Sequence, residues 1–293
     1  MSIIHHLNIM RKAFGHGVLF PKIRHIRKNA PMGSWEQKAH GSVFRRISNE
    51  VSWFRHTQHY IALPSWPDYH IIQLSDIHIR AKDDWLQTLC EHLQGLEADI
   101  VVLTGDLVTK NWTQEALDIF LSSLPTAKLG TYAILGNWEH WVVSDHQNWR
   151  KVLEKYNVQL LVEEWIALED LNIVGTDDHL AGQCDPKKWK SFLPPKPTLC
   201  LTHSPEIFPQ LSYQPIDLVL AGHAHGGQVS LPILGPVWTP HGTGQYISGW
   251  YKKDQTHLFV SKGIGWSVAP LRLFCTPEIV SIFTTGSTNK SQQ

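Results

Sequence analysis

Two hydrophobic patterns alternate in the first half of the chain. Short, nearly continuous apolar runs predict strands that are buried on both faces, and apolar residues spaced three or four apart predict amphipathic helices. The predicted strands with these runs cover 69–75, 99–104 and 131–135. The segments with helical spacing cover 83–96, 113–124 and 145–156. Each run is followed by one such segment, so this half predicts strand–helix alternation.

Strand signals dominate the second half. They cover 158–162, 171–175, 198–202, 218–220, 228–231, 257–262 and 278–284. The intervening stretch 232–244 is rich in Pro and Gly and predicts a long loop. Alternating strands and helices, followed by further strands, predict one α/β domain with a pair of mixed sheets.

The N-terminal part lacks this order. Residues 1–66 show no clean periodicity, and short helices are expected there only around 8–14 and 42–56. We therefore predict an N-terminal extension over 1–66, a folded domain over 67–285 and a polar tail over 286–293.

Charge is unevenly distributed, although the net charge of the chain is zero. Residues 1–55 carry ten Lys or Arg against Glu36 and Glu50, which leaves +8 in this segment. Because apolar residues are interleaved with the basic ones, we predict peripheral contact between residues 1–55 and an anionic membrane. Packing of the extension on the domain is the alternative. Nucleic acid is not expected as a partner, because the basic residues lie outside the motifs described below.

Cysteine usage and hydropathy indicate the compartment. The four cysteines lie far apart without a CxxC spacing, which predicts reduced thiols. No apolar run reaches the length of a membrane span, and the N-terminus lacks the apolar core and cleavage site of a signal peptide. We therefore expect a cytoplasmic protein, peripheral on the inner membrane face if the basic extension binds lipid.

Metal-capable side chains follow five of the predicted strands. They are Asp76, His78, Asp106, Asn137, His203, His223 and His225. Carboxyl ends of strands in α/β sheets converge on one edge, where ligands bind. Imidazoles and carboxylates without a thiolate favour Mn, Fe, Zn or Co over Mg or Ca. Seven ligands exceed the needs of one ion and suit two ions that share a carboxylate.

The pair His223 and His225 lies between glycines and follows the apolar run 218–220. If the backbone stayed extended, alternate residues would project to the same side. Two neighbouring imidazoles at a strand end suit one metal or a pair of metals. Incidental loop histidines are the alternative in a chain with 18 histidines.

The motifs resemble a known family. D-x-H at 76–78, G-D at 105–106, G-N-x-E at 136–139, the lone His203 and G-H-x-H at 222–225 are similar, in this order, to the calcineurin-like metallophosphoesterase superfamily. This resemblance implies a four-layer α/β/β/α sandwich with two mixed sheets. It also implies two divalent metal ions, with Mn²⁺ favoured and Fe, Zn or Co as alternatives.

The resemblance implies a role for each candidate residue. The first metal would be held by Asp76, His78 and His225, the second by Asn137, His203 and His223, and Asp106 would bridge both. Asp106, Asn137 and His203 would form the catalytic set. A metal-bridged hydroxide would attack the phosphorus of a phosphoanhydride or phosphodiester.

Trp138 departs from the family pattern, because many relatives carry histidine there as the acid for the leaving group. The indole N–H cannot supply a proton at neutral pH. Either His140 or another nearby histidine, such as His179, substitutes from a different direction, or the leaving group needs no acid. An acid is worth roughly two to four orders of magnitude in rate. Trp138 therefore favours pyrophosphate cleavage or an activated diester.

The stretch 270–278 resembles the branch of small bacterial phosphoesterases that includes UDP-2,3-diacylglucosamine pyrophosphatases. We therefore expect a phosphorylated small molecule or lipid-linked nucleotide as substrate, with a UDP-2,3-diacylglucosamine-like precursor of lipid A favoured. Phosphodiesterase activity on cyclic or linear nucleotides and a metal-binding scaffold without turnover are the alternatives. Protein phosphatase and nuclease activities are less favoured.

Further side chains are candidates for supporting roles. Glu139 is expected to hold its loop or orient a ligand. Residues 177–179 are expected to line the pocket or support the imidazoles. Arg272 is expected either to bind a substrate phosphate or to have a structural role at the surface. Trp141, Trp238, Trp250 and Trp266 would line an apolar groove or pack in the fold.

Overall fold

The computed structural model describes residues 18–19, 50–191, 193–267 and 270–286. Its strands are β1 (Val18–Leu19), β2 (Arg55–Leu63), β3 (His70–Leu74), β4 (Glu97–Ala98), β5 (Ile100–Leu103), β6 (Thr126–Ala127), β7 (Thr131–Ala133), β8 (Val158–Leu160), β9 (Glu164–Ala167), β10 (Asn172–Gly175), β11 (Thr198–Thr202), β12 (Leu218–Ala221), β13 (Ser230–Leu231), β14 (Gly235–Pro236), β15 (Trp238–Thr239), β16 (Gly249–Lys253), β17 (Thr256–Val260) and β18 (Glu278–Gly286). Its α-helices are α1 (Asp84–Leu93), α2 (Gln114–Ser122), α3 (Asn137–Val142), α4 (His146–Glu154) and α5 (Phe208–Leu211).

Two six-stranded mixed sheets form the body of the fold. The first has the order β2-β18-β3-β5-β7-β8, in which β3, β5, β7 and β8 run parallel and β18 is antiparallel to β3. The second has the order β16-β17-β12-β11-β10-β9, with four parallel strands between two antiparallel edge strands. The predicted pair of mixed sheets is confirmed.

The strands with continuous apolar runs are buried on both faces. In β3, Ile71 lies in the apolar layer between the sheets, whereas Ile72 packs on the opposite side against helices. In β12, Leu218 and Leu220 face the layer between the sheets, and Val219 faces outward. Because successive side chains of a strand alternate in direction, a strand in the middle of a sandwich must be apolar at every position.

Helices cover the outer faces and complete four layers. Side chains of α1, α2 and α4 pack on the first sheet, and those of α5 pack on the second. The three predicted helices are confirmed. Each begins after the expected polar cap: Asp83 accepts a hydrogen bond from Leu86 N at 2.9 Å, and Thr113 and Asp145 cap α2 and α4 in the same way. The fold is the α/β/β/α sandwich that the resemblance implies.

The N-terminal part differs from the sequence prediction. Residues 55–63, assigned to the extension, form β2, which pairs with β18 in parallel over nine residues. The predicted helix over 42–56 is wrong at its described end, where a short 3-10 helix covers Glu50–Ser52. The inward positions of β2 begin with Arg55, so hydrophobicity does not reveal the strand. The helix predicted over 8–14 and the tail from 287 lie outside the described residues.

Other short elements were also missed. Strands β9 and β16 lie at sheet edges, where half-exposed residues weaken the hydrophobic signal, and the loop expected over 232–244 contains β14 and β15. All four cysteines are free thiols. Among the described residues, no helix is long and apolar enough to cross a membrane.

We propose that the folded unit begins near Glu50 rather than at residue 67. A chain that starts at 67 lacks β2 and loses the buried side chains of Phe54, Ile61, Leu63 and Trp66. At roughly 1.5–3 kcal/mol for each large apolar side chain, we expect it to unfold at much lower urea concentration than a chain that starts at 50. Equal urea midpoints for the two chains would show that the folded domain begins at residue 67, as the sequence predicted.

Candidate metal centre

The loops that follow β3, β5, β7, β11 and β12 meet at one edge of the sandwich. They bring together all seven metal-capable residues that the sequence singled out, and each of these side chains is buried with 5 % or less of its surface exposed. The prediction that five strand ends converge is therefore confirmed in the structure.

The seven side chains form two adjoining groups. The first consists of Asp76, His78, Asp106 and His225, whose potential ligand atoms all lie within 4.8 Å of one another. His78 Nε2 is 3.0 Å from His225 Nε2, and His225 Nε2 is 3.4 Å from Asp76 Oδ1. Two imidazole nitrogens and two carboxylates that face one point form a suitable set for one divalent cation.

The second group consists of Asp106, His203 and His223. Its members are joined by Asn137, whose Oδ1 lies 3.2 Å from His203 Nε2. His223 Nδ1 lies 3.3 Å from the same nitrogen. The amide oxygen thus faces the same point as the imidazoles and the carboxylate.

Asp106 belongs to both groups through a single oxygen. Its Oδ2 lies 3.6 Å from His78 Nε2 and 3.3 Å from His203 Nε2. Its Oδ1 accepts a hydrogen bond from Trp138 N at 2.9 Å, which fixes the plane of the carboxylate. One carboxylate oxygen between two sets of donors is the geometry that a bridging ligand requires.

Backbone carbonyls orient two of the imidazoles. His203 Nδ1 donates to Thr104 O at 2.8 Å, and His223 Nε2 donates to His241 O at 2.6 Å. The other nitrogen of each ring, Nε2 of His203 and Nδ1 of His223, faces the site. The sequence did not indicate these carbonyl partners, because any residue can supply a carbonyl.

Five of the seven residues have left-handed backbone conformations. Asp76, His78, Asp106, His223 and His225 have φ between +49° and +68°. His223 and His225 are therefore not part of an extended strand, and the expected shared projection is wrong. The turn sends His223 to the second group and His225 to the first. Asp and His are among the residues that tolerate this region best, yet such clustering marks a functional site.

Burial sets the protonation of three imidazoles. It lowers the pKa of His78, with the neighbouring His225 adding to the effect. It lowers the pKa of His225 as well, together with the charge of Arg272, and it lowers the pKa of His223 to about 4. These three rings are neutral at physiological pH, which is the form that binds metal.

Two buried carboxylates, Asp76 and Asp106, lie at the centre of the site. Burial raises the pKa of Asp76 to about 6, although the charge of His203 opposes the shift. Burial alone would lower the pKa of His203, but the charge of Asp106 and its hydrogen bond raise it well above the usual value. Among the described residues, the ion pairs of Asp76 and Asp106 involve imidazoles only. Buried carboxylates need positive charge, and divalent cations fit this need.

Glu139 holds the loops around the site, as the sequence suggested. Its carboxylate accepts hydrogen bonds from the backbone N–H groups of Asp106, Val108 and Gly136 at 2.8–3.1 Å. Burial and the charge of Asp106 raise its pKa to about 7. A Cβ at Gly136 would meet Asp106, so only glycine permits this close approach.

Trp138 packs at the edge of the first group. It is 6 % exposed, and its ring meets the His78 ring edge-on with centroids 5.7 Å apart. Of the two histidines proposed as substitute acids, His179 is exposed, whereas His140 forms a 2.7 Å ion pair from Nε2 to Asp177 Oδ1. Burial alone would lower the pKa of His140, but the hydrogen bond and charge of Asp177 raise it.

Two supporting candidates prove to be structural. Arg272 is fully buried and donates to the carbonyl oxygens of Lys262, Gly265 and Cys275, so its guanidinium does not face solvent where a phosphate could bind. Asp178 accepts a 2.7 Å hydrogen bond from Ser204 Oγ, next to His203. It stabilises the loop and does not contact an imidazole through any described hydrogen bond.

Comparison with known proteins agrees with this geometry. Residues 69–227 match the family model described as calcineurin-like phosphoesterase. The chain therefore belongs to the calcineurin-like phosphoesterase family, and it is a metallophosphoesterase, a hydrolase of phosphate esters. Membership in this family implies divalent metal ions.

Three relatives illustrate the range of the family. The chain is 30% identical to the uncharacterized metallophosphoesterase YkuE of Bacillus subtilis, over 75% of this chain and 80% of the relative. It is 28% identical to the phosphodiesterase YaeI of Escherichia coli, over 80% and 89%. It is 27% identical to the UDP-2,3-diacylglucosamine pyrophosphatase LpxG of Chlamydia muridarum, over 71% and 81%.

The pair of His140 and Asp177 predicts a pH-dependent contribution to stability. Because the pKa of His140 is raised in the fold, the pair stabilises fully below the unfolded value of about 6.5, and the contribution disappears as pH rises through the folded pKa. We expect His140→Gln to lower the free energy of unfolding by about 1 kcal/mol at low pH and by less at pH 9. Urea unfolding between pH 5.5 and 9 measures this, and the pH dependence should vanish in an Asp177→Asn background. A constant difference across this range would contradict it.

Proposed function

We propose that this chain is a binuclear metal-dependent phosphohydrolase that cleaves phosphoanhydride or phosphodiester bonds. In this proposal Asp76, His78 and His225 hold one ion, Asn137, His203 and His223 hold the other, and Asp106 bridges them. The observation that carries the proposal is the position of Asp106 Oδ2 between the two groups. The donors favour Mn²⁺, with Fe, Zn or Co as alternatives.

The two cations would supply a water of lowered pKa as the nucleophile and would stabilise the charge that grows on the phosphoryl oxygens. The catalytic residues we assign are Asp106, Asn137 and His203. Their role is positional: Asp106 is held by Trp138 N, and the His203 ring is held by Thr104 O. Because these supporting hydrogen bonds are buried, the metal-ligating side chains would need little rearrangement when the ions bind.

Metal content tests the ligand assignment. We expect about two ions per chain in the wild type, with Asp106→Asn weakening both sites and His225→Ala removing one. His179→Ala is the matched control, because His179 is an exposed histidine that is not assigned as a ligand. Elemental analysis after dialysis against Mn²⁺ measures the ratio. Full occupancy in Asp106→Asn would exclude the bridging role.

Trp138 supports a good leaving group. The indole beside His78 cannot protonate an alkoxide, whereas a phosphate or nucleotide leaves a pyrophosphate without an acid. Of the two alternative acids, His140 already uses Nε2 to bind Asp177. Cleavage of a pyrophosphate or an activated diester is therefore the reaction that suits these side chains.

Our favoured substrate is a lipid-linked nucleotide that resembles UDP-2,3-diacylglucosamine, as in lipid A biosynthesis. The chlamydial relatives named UDP-2,3-diacylglucosamine pyrophosphatase support it at 27% and 31% identity. With it we propose a cytoplasmic protein that meets the anionic inner membrane face through residues 1–55. The name of the Escherichia coli relative supports a second candidate, a phosphodiesterase that acts on cyclic or linear nucleotides. A metal-binding scaffold without turnover is the third.

Substitution of Trp138 tests the leaving-group argument. We expect Trp138→His to raise turnover of an unactivated alkyl phosphodiester at least about tenfold over Trp138→Phe, because only histidine can act as an acid. Turnover of a nucleotide-sugar diphosphate should be similar in the two variants. Steady-state kinetics with Mn²⁺ on both substrates measures this. Equal turnover of the two substrates by the wild type would refute the preference for pyrophosphate, and no turnover of either would favour the scaffold.

A further inference from the structure

A hairpin with an apolar tip follows the loop that carries His223 and His225. Its strands β13 and β14 pair in antiparallel register, Ser230 with Pro236 and Leu231 with Gly235. The tip exposes Ile233 fully and Leu234 to 66 %. Nothing in the described fold covers these two aliphatic side chains.

A second apolar segment lies beside the hairpin. Leu271 and Phe274 are 38 % and 37 % exposed. Their loop is joined to the base of the hairpin by hydrogen bonds from Ser230 N to Leu273 O at 2.9 Å and from Gln228 Nε2 to Leu271 O at 2.7 Å. We call Ile233, Leu234, Leu271 and Phe274 the apolar platform. They are half of the eight large hydrophobic residues that are exposed in the described part of the chain.

Two platform residues are in unfavourable backbone conformations. Ile233 has φ +72° and Phe274 has φ +53°. A β-branched residue is rarely found in the left-handed region. Backbone strain of this kind is common at functional positions, and a group of exposed apolar side chains marks a candidate interaction site.

The platform is fixed next to the first group of metal-capable residues. Gln228 N donates to His225 O at 2.8 Å, and Cys275 Sγ lies 3.0 Å from the same oxygen. The buried Arg272 guanidinium binds three carbonyl oxygens of the surrounding loops. Whatever the platform contacts is therefore held close to the site.

The charge pattern around the platform fits a lipid surface. Residues 218–251 contain no Asp, Glu, Lys or Arg, and 263–277 contain only Arg272, which is buried. The tip of the hairpin, residues 232–234, would therefore bring no charged side chain of its own into a bilayer. Strand β1 pairs with β15, close to the hairpin in sequence, and β1 belongs to the segment with ten basic residues against two acidic ones. Stable membrane binding usually needs two such signals, one apolar and one basic.

We propose that the apolar platform inserts into the boundary between headgroups and acyl chains of an anionic bilayer and holds the metal centre at the membrane surface. This inference deepens the proposed function, and it rests on the lipid-linked substrate that we propose there. A protein partner fits less well, because protein interfaces combine apolar anchors with a polar or charged rim, and the two platform segments lack exposed charge.

Vesicle binding tests the proposal without any substrate. The full chain is sedimented with vesicles of phosphatidylcholine containing about 30% phosphatidylglycerol, at low salt and at about 0.5 M salt. We expect the double variant Ile233→Ser/Leu234→Ser to bind at least about tenfold more weakly than the wild type, in line with the transfer energy of two aliphatic side chains. Leu129→Ser is the matched control, because Leu129 is 38 % exposed near the amino end of β7, away from the site. It should bind like the wild type.

Other measurements keep the result interpretable. Thermal unfolding should show the same midpoint for both variants, since the replaced side chains are exposed. Equal vesicle binding by the double variant and the wild type would overturn the proposal. The proposal would also be overturned if the double variant lost self-association in sedimentation velocity but kept vesicle binding, because the platform would then contact a second copy of the chain. If the wild type hydrolysed none of the substrates, the proposed function would be refuted, but the vesicle-binding result would not be affected.

Discussion

The shared oxygen of Asp106 is the constraint on which the rest of the site depends. It must lie within reach of imidazoles from both sheets, His78 on one side and His203 on the other. The carboxylate is held by Trp138 N, its own backbone N–H is held by Glu139, and Glu139 also binds Gly136 N. Two loops of the first sheet are thus tied together before any ligand arrives. Loss of one of these hydrogen bonds would move Asp106, the residue that both groups of potential ligands share.

This arrangement stores backbone strain that the sandwich must offset. Left-handed residues cost of order 1–3 kcal/mol each when the side chain is not glycine, although Asp and His pay less than most. The strands that lead into the loops are buried on both faces, and their ends therefore have little freedom to relax. The rigid body of the fold holds the donors close together despite their mutual repulsion and their burial.

The surroundings of the site point in one chemical direction. Trp138 removes the usual acid, His140 is paired with Asp177, and the Arg272 guanidinium is bound to backbone oxygens. The charge-free hairpin beside His225 adds an apolar surface rather than a charged one. The proposed preference for a good leaving group and an apolar anchor rests on these features.

Much of the fold and of the site could be predicted from the sequence. Continuous apolar runs revealed the central strands, helical spacing and polar caps revealed three helices, and the seven candidate residues were visible because each follows a strong strand. Strand β2 was not visible, because its pairing with β18 depends on a distant segment and its inward positions are partly polar. The edge strands β9 and β16 were hidden for a related reason, since half-exposed positions carry little hydrophobic signal.

The sequence alone determined which residue types reach the site and in which order they follow the strands. Only the tertiary structure shows the physical cause of their division into the two groups that the family resemblance implies. The pair His223 and His225 separates because a left-handed turn, and not strand alternation, directs the two rings. The partners Thr104 O and His241 O were likewise invisible, because a backbone carbonyl has no sequence signature. Local patterns report burial and chain direction, whereas contacts between distant loops arise only when the two sheets pack.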